Sequence, residues 1–469
     1  MDLEYTAVEM QRLADLVVRR SIAHVASLPE QPVMGNVRAE DLCRALREPA
    51  PDGPTPLEPL LDALFDEYVP RSFNAPSPGY LAFIPGGGVF PAALADFIAG
   101  TTNRYTGVWQ AAPALVQLEA NALDWLRDWM GFPDTTRGLF TAGGSMATFN
   151  ALLCARERHL GADIRGGVIY TSDQAHHCVL KAAKIAGIMP DRVRAIACDA
   201  QYRLPLEPLI DTIARDRRSG LRPFAVVSTA GTTNTGAVDP LGSIADLCEA
   251  QGLWHHVDGA YGAFFNLCDE GRVVLRGMER ADSLTLDPHK GMFLPYGTGA
   301  LLVRDGSALR AAHEATADYL PAMPHPDDFY DPSQHGPDLS RGFPGLRVWL
   351  TVKMFGVAAY REAIAEKRSL AVDAYERLAK LPGLVMDAPP ELSLFPFHVT
   401  RPGASQAEED AATRELMNRT TARGRVMVTG AVARGRYVGR VCVLSFRTHQ
   451  QQIDQLVEDT EAALLEIRR

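Results

Sequence analysis

His256-Val257-Asp258-Gly259-Ala260-Tyr261 closes one strand-sized apolar run, 253–258, and Asp287-Pro288-His289-Lys290-Gly291 follows another, 283–286. Similar runs occur at 167–171, 224–228 and 300–304, separated mostly by segments with helical spacing of apolar residues. Alternation of this kind predicts an α/β fold, a largely parallel sheet covered by helices. Loops at the carboxyl ends of parallel strands are where ligands gather. Asp258 and Thr229 both fall at such ends.

The 469 residues exceed what one small core holds and predict two or three lobes. Hydrophobic residues at 46% and charged residues at 22% exclude a disordered, fibrous or coiled-coil chain. A net charge of −10 argues against nucleic acid or an anionic membrane as partner. Seven cysteines, odd in number and without a C-x-x-C pair, read as reduced thiols with no disulfides. The start, Met1-Asp2-Leu3-Glu4, has no basic segment leading an apolar stretch, and the apolar region 80–99 is broken by Pro85, three glycines, Pro91 and Asp96. No secretory signal or membrane span is predicted, and a cytoplasmic location follows.

Residues 1–75 read as an arm. An amphipathic helix over 6–28 carries Leu13, Leu16, Val17, Ile22 and Val25 on one face, and a proline-punctuated connector leads to a second helix over 57–68. Such an arm needs a surface to dock on. Residues 76–345 form the large domain, and 346–469 a small α+β lobe. Within that lobe we expect a strand over 392–399, a hairpin pairing 426–429 with 441–446, and a last helix capped by Thr448 with Gln451.

A lysine amine condenses with an aldehyde, and a buried carboxylate against a pyridine nitrogen keeps that ring electron-poor. Lys290 and Asp258 supply this pair, which points to pyridoxal 5'-phosphate. Thr141-Ala142-Gly143-Gly144-Ser145-Met146 leads into an apolar helix. Its glycines, helix-start N–H groups and Ser145 hydroxyl suit a phosphate, although a plain Gly-Gly turn capped by serine fits the same residues. His176, in Asp173-Gln174-Ala175-His176-His177, can lie over a ring at a strand end or simply cap a loop. Ser228-Thr229-Ala230-Gly231-Thr232-Thr233 is a hydroxyl-rich loop able to bond a cofactor. A rival reading makes Asp173, His176, His177, Cys178, His255, His256 and Asp258 a metal centre of a hydrolase. Adjacent histidines in a strand point to opposite faces, and this reading leaves Lys290 and the glycines unused. No P-loop or dinucleotide fingerprint occurs.

In their order, Gly143-Gly144-Ser145, Ser172-Asp173-Gln174-Ala175-His176, His256–Tyr261 and Asp287-Pro288-His289-Lys290 resemble the group II amino-acid decarboxylases that use pyridoxal phosphate, the aromatic-L-amino-acid decarboxylase relatives. The resemblance runs from Ser77-Pro78-Gly79-Tyr80 to Ser445-Phe446-Arg447-Thr448. It implies a fold-type I (aspartate aminotransferase-like) homodimer with the active site at the subunit interface and the arm wrapped over the partner. Lys290 would carry the cofactor, Asp258 meet the ring nitrogen, and His176 and Ala260 cover the two ring faces. Gly144 and Ser145 would hold the phosphate, with His289 and Thr232 close by.

The implied reaction takes an L-amino acid, most simply an aromatic one, to its amine and carbon dioxide. Tyr330, with Tyr319 second, is the counterpart of the loop tyrosine that returns a proton. Phe83, Tyr105 and Trp109 are candidates for a substrate pocket shared between subunits, or for core. Arg104 would favour an acidic substrate instead. The alternatives are an oxidative aldehyde synthase on the same fold, the metal-dependent hydrolase, and a cofactor-binding chain without activity. The sequence departs from the resemblance at Asp287, where many relatives carry Asn, and at His177, Gly291 and Arg341-Gly342.

Overall fold

The computed structural model describes residues 3–35, 39–314, 323–325 and 328–468. Its strands are β1 (Arg137–Thr141), β2 (Gly167–Ser172), β3 (Val193–Ile196), β4 (Arg222–Thr229), β5 (Trp254–Asp258), β6 (Ser283–Leu286), β7 (Gly299–Val303), β8 (Leu384–Met386), β9 (Leu394–Val399), β10 (Thr429–Ala433) and β11 (Arg436–Cys442). The first seven form one sheet in the order β1-β7-β6-β5-β4-β2-β3. β7 runs antiparallel to both neighbours, and every other pairing is parallel. β2, β5, β6 and β7 are buried at every residue, as strands covered by helices on both faces must be. The expected α/β architecture is therefore present. The short strands β1 and β3 escaped the sequence reading.

Register places the chemistry. Thr229 pairs with Asp258, and Asp258 with Thr285, so three polar residues form a row across the carboxyl ends of β4, β5 and β6. The strand order reverses between β2 and β4, and the loop carrying His176 leaves β2 at that point. Crevices at such reversals are where open α/β sheets bind ligands.

The second sheet, β10-β11-β9-β8, is antiparallel throughout. Its hairpin corrects the sequence reading: β10 pairs with β11 through Arg434-Gly435, both at positive φ (50° and 76°). A two-residue turn of that hand matches the strand twist and sets the register. Segment 426–428 instead runs beside the start of the large domain, where Leu81 N–H donates to the Met427 carbonyl at 3.0 Å. The last helix, Gln450–Arg468, also begins later than expected. Thr448 donates its hydroxyl to the Pro78 carbonyl at 2.6 Å, and the His449 N–H takes the Gln452 side chain at 2.9 Å as its cap.

The N-terminal helix Ala7–Ser27 has the capping box Thr6/Glu9 and no buried residue. It meets the second arm segment through Arg12–Glu58 (2.7 Å), Arg20–Asp66 (2.7 Å) and the His24 and Phe65 rings, 5.7 Å apart. Its outer face leaves Val8, Val17, Val18 and Ile22 exposed. No helix among the described residues is long and apolar enough to cross a membrane.

His255 and His256 show how the sheet uses polar side chains. His255 Nε2 lies 2.7 Å from Ser228 Oγ, and His256 Nδ1 lies 2.9 Å from Ser283 Oγ. Burial pushes their pKa values down, to about 3 and about 4. Both rings are neutral in the fold and charge in the unfolded chain near the ordinary imidazole value. Their contribution to stability is therefore full above that value and is lost as the pH falls toward 4 and 3. Asp239, pushed up to about 7 by burial, titrates with the opposite sign, so a variant comparison is needed. Urea unfolding across this acid range should show wild-type stability falling more steeply than His255→Gln, by about 1.4 kcal/mol per pH unit. Parallel slopes would refute the buried neutral imidazole.

Candidate active site

Lys290 stands in the short helix Pro288–Gly291 immediately after β6. Its Nζ lies 3.1 Å from Asp287 Oδ2. Burial of the ammonium works against its charge, but the carboxylates of Asp287 and Asp258 outweigh it and raise the lysine pKa. Asp258 is held in turn: its Oδ1 accepts the Ala260 N–H at 3.2 Å, and Cys178 Sγ lies 3.9 Å from Oδ2.

These groups open onto a cavity of about 300 Å³ that also takes in Gly143, Gly144, Ser145, His176, Thr229, Thr233, Ala260 and His289. His176 accepts the Cys178 N–H on Nδ1 at 3.3 Å, leaving Nε2 to carry the proton of the neutral ring, and burial lowers its pKa. His289 donates Nδ1–H to the Thr298 carbonyl at 2.8 Å, with its pKa also lowered by burial.

Helix Gly144–Leu160 starts at the cavity wall, and the first N–H groups of any helix have no intrahelical acceptor. Side chains would close this cup. A Cβ on Gly144 would stand 3.0 Å from Ala260 Cβ, and one on Gly299 of β7 would stand 2.5 Å from Gly143 Cα. Two buried polar atoms, Thr229 Oγ1 and Asp287 Oδ1, have no hydrogen-bond partner among the described residues. A cup of N–H groups, an amine, a separate carboxylate and unsatisfied polar atoms fit a small phosphorylated aromatic aldehyde.

The sequence-derived residues Lys290, Asp258, His176, Gly144, Ser145, Ala260 and His289 are thus brought together. Thr232 is not: its buried hydroxyl lies 2.7 Å from that of Thr235, and Thr229, Gly231 and Thr233 of this loop line the cavity instead. Thr229 was legible as the strand end beside Asp258. Cys178 stood in the sequence only as a candidate ligand of the rival metal centre.

Tyr330 does not line the Lys290 cavity of its own chain. It packs against the main core with its hydroxyl buried and unpartnered, its ring 4.9 Å from His335, and it lines two other clefts, not the Lys290 cavity. Burial raises its pKa, with Glu119 adding to the effect. An apolar bed drew this aromatic ring inward from its loop. Tyr319 lies outside the described residues.

Phe83, Tyr105 and Trp109 do not line the cavity either. Phe83 packs on Phe73 and Tyr80, Tyr105 donates to the Leu339 carbonyl at 3.1 Å, and Trp109 stacks on Phe329 at 4.7 Å. The metal reading loses its ligands to other bonds, since His255 and His256 are engaged with serines. No three His, Cys, Asp or Glu side chains among the described residues are grouped to hold an ion.

The family model for the pyridoxal-dependent decarboxylase conserved domain matches residues 40–400. An aromatic-L-amino-acid decarboxylase from Bacillus atrophaeus is 34% identical over 99% of this chain and 98% of its own. A phenylacetaldehyde synthase from Arabidopsis thaliana is 25% identical over 97% of this chain and 96% of its own. The solved structure of Oryza sativa TDC with PLP and tryptamine superposes with a TM-score of 0.95 at 28% identity, covering all of both chains. Matched along its length by family, relatives and fold, the chain belongs to the pyridoxal-dependent decarboxylases and takes pyridoxal 5'-phosphate as its cofactor.

Proposed function

We propose that this chain decarboxylates an L-amino acid with an aromatic side chain, giving the amine and carbon dioxide, and that it does so as a cytoplasmic homodimer. The observation that carries the reading is the single cavity onto which Lys290, Asp258, His176 and the Gly143–Gly144 cup all open. The names of the similar decarboxylases support the aromatic substrate.

When bound, the cofactor supplies an electron-accepting ring conjugated to the substrate nitrogen. Lys290 provides the amine that holds its aldehyde. Asp258 keeps the ring nitrogen protonated, and the Ala260 N–H fixes the carboxylate for that task. His176 and Ala260 would cover the ring, and Gly144, Ser145 and His289 would hold the phosphate, with Thr233 in place of Thr232. Held in this way, the cofactor would be fixed relative to Lys290 and Asp258, so that a substrate amine meets it in one orientation. Lys290 and His176 Nε2 are the proton carriers within the cavity.

Exposed apolar side chains support the dimer. Besides the face of the first helix, Phe97 (59% exposed) and Ile98 (43%) project from helix Phe90–Thr102. Exposed apolar side chains on two helices fit surfaces that a partner covers. In this reading residues 1–75 lie over the partner, 76–345 bind cofactor and 346–469 form the small lobe. Phe83, Tyr105 and Trp109 then face a partner's cavity. All seven cysteines are free, which fits a reducing compartment.

A second reading has one observation behind it. Tyr330 holds its hydroxyl away from Lys290, and without proton return at Cα the product turns to aldehyde: amino acid, dioxygen and water give aldehyde, carbon dioxide, ammonia and hydrogen peroxide. Product analysis with aromatic amino acids decides between the two. We expect amine and carbon dioxide in equal amounts; peroxide and ammonia in step with aldehyde would establish the second.

Lys290→Ala should lose the yellow absorption of the attached cofactor together with carbon dioxide release. Asp258→Asn should keep the fold and lower kcat by about 10²–10³, the equivalent of about 3–4 kcal/mol lost with the charge that faces the ring nitrogen. Near-wild-type turnover in either variant would defeat the assignment. Sedimentation should give a dimer for the wild type, and Phe97→Glu should shift it toward monomer with loss of turnover.

A further inference from the structure

Asp287 has no part in the chemistry above, although it is 2% exposed and shares the cavity wall with the glycine cup. Its Oδ2 lies 3.1 Å from Lys290 Nζ and 3.5 Å from His289 Nε2, and its Oδ1 is enclosed without a hydrogen-bond partner among the described residues. A Cβ on Gly144 would stand 3.2 Å from Oδ2, and one on Gly299 would stand 2.7 Å from Oδ1. The carboxyl therefore abuts the first turn of helix Gly144–Leu160.

An anion seated on that turn lies beside a second anion, in a place from which water is largely excluded. Like charges so close do not both stay ionised, and the pair shares a proton. The surrounding charges do not remove the conflict. Among the described residues Lys290 is the one ammonium in contact with Asp287, and it also faces Asp258 from β5. Across the cavity, His176 and Cys178 feel the Asp287 charge from the segment after β2. On the far side of His289, Arg347 is already engaged with Asp96 at 2.6 Å and with the Thr298 hydroxyl at 2.7 Å. His289 has its Nδ1–H committed to the Thr298 carbonyl.

We propose that Asp287 and the cofactor phosphate hold one proton between them, which makes Asp287 a ligand of the phosphate through an O–H···O hydrogen bond and makes cofactor docking proton-consuming. The inference rests on seating the phosphate at Gly143–Ser145. The proton comes from solvent, and no other bond is made or broken. Because the complex carries one more proton than its separated parts, affinity falls as pH rises.

The probe is pyridoxamine 5'-phosphate, which has no aldehyde and leaves the Lys290 amine uncondensed. It is titrated calorimetrically into the full-length protein, stripped of cofactor, in two buffers of different ionisation heat and at several pH values above neutrality. The wild type should take up about one proton more than Asp287→Asn, and its affinity should fall more steeply, by up to about tenfold per pH unit. The amide keeps the shape of the side chain and offers its own N–H, and circular dichroism verifies that the variant is folded. Unphosphorylated pyridoxamine should show no difference between the two proteins. Equal proton uptake by two proteins that both bind the phosphorylated probe overturns the inference alone, as does a difference that persists without the phosphate. If neither protein binds the probe, the seat of the phosphate is wrong and the inference falls with it.

Discussion

A buried ammonium between two carboxylates is the constraint around which the rest of the molecule is arranged. Lys290 touches Asp287 at 3.1 Å and senses Asp258 from the neighbouring strand. Taking such charges out of water costs several kcal/mol per ion, and apolar side chains of similar volume would often serve stability as well or better. The arrangement makes sense as chemistry. An amine must be kept where an aldehyde can reach it, and a carboxylate must be kept where a ring nitrogen will lie. The fold contributes the strand pairing that sets both. β5 and β6 are parallel neighbours with Asp258 opposite Thr285, and two residues later the chain turns at Asp287 into the helix that carries Lys290.

Parallel strands deliver their last residues to one edge of a sheet, and this explains why a site can be assembled from segments far apart in the chain. Thr229, Asp258 and Thr285 share a row. The glycine cup arrives by a different route. β1 pairs with the one reversed strand, β7, so that Thr141 lies opposite Gly299, and the missing side chain at 299 lets Gly143 come close. Without that antiparallel insertion the cup and the lysine helix would not form one wall.

What could be read from the sequence follows the same division. Asp258 ends a strand and Gly144 begins a helix, while His176 and Lys290 follow strand ends within four residues, and apolar runs or glycines mark such positions along the chain. The small-sheet hairpin was misread because the turn Arg434-Gly435 depends on two left-handed residues, and an arginine gives no sign of that. Thr232 and Thr233 are indistinguishable in composition. Only the path of the loop turns one toward Thr235 and the other toward the cavity. Tyr330 packs inward for an energetic reason: a large ring beside an apolar core gains more from burial than its loop position suggests.

The same contrast bears on how relatives of this fold diverge in outcome. Proteins named as amine-forming decarboxylases and as an aldehyde synthase match this chain along almost its whole length at comparable identity. The cofactor wall is made of strand ends and helix starts whose positions the sheet fixes, so substitution there endangers attachment of the ring. The groups that decide what happens after the carboxylate leaves do not belong to the sheet. Here the aromatic candidates Phe83, Tyr105 and Trp109 sit on connecting segments, and Tyr330 is held by side-chain packing beside the buried Glu119–Arg341 pair. Such positions can change without moving Lys290 or Asp258. In the proposed reading the seat of the cofactor is set by the sheet, and the fate of the substrate is left to loops.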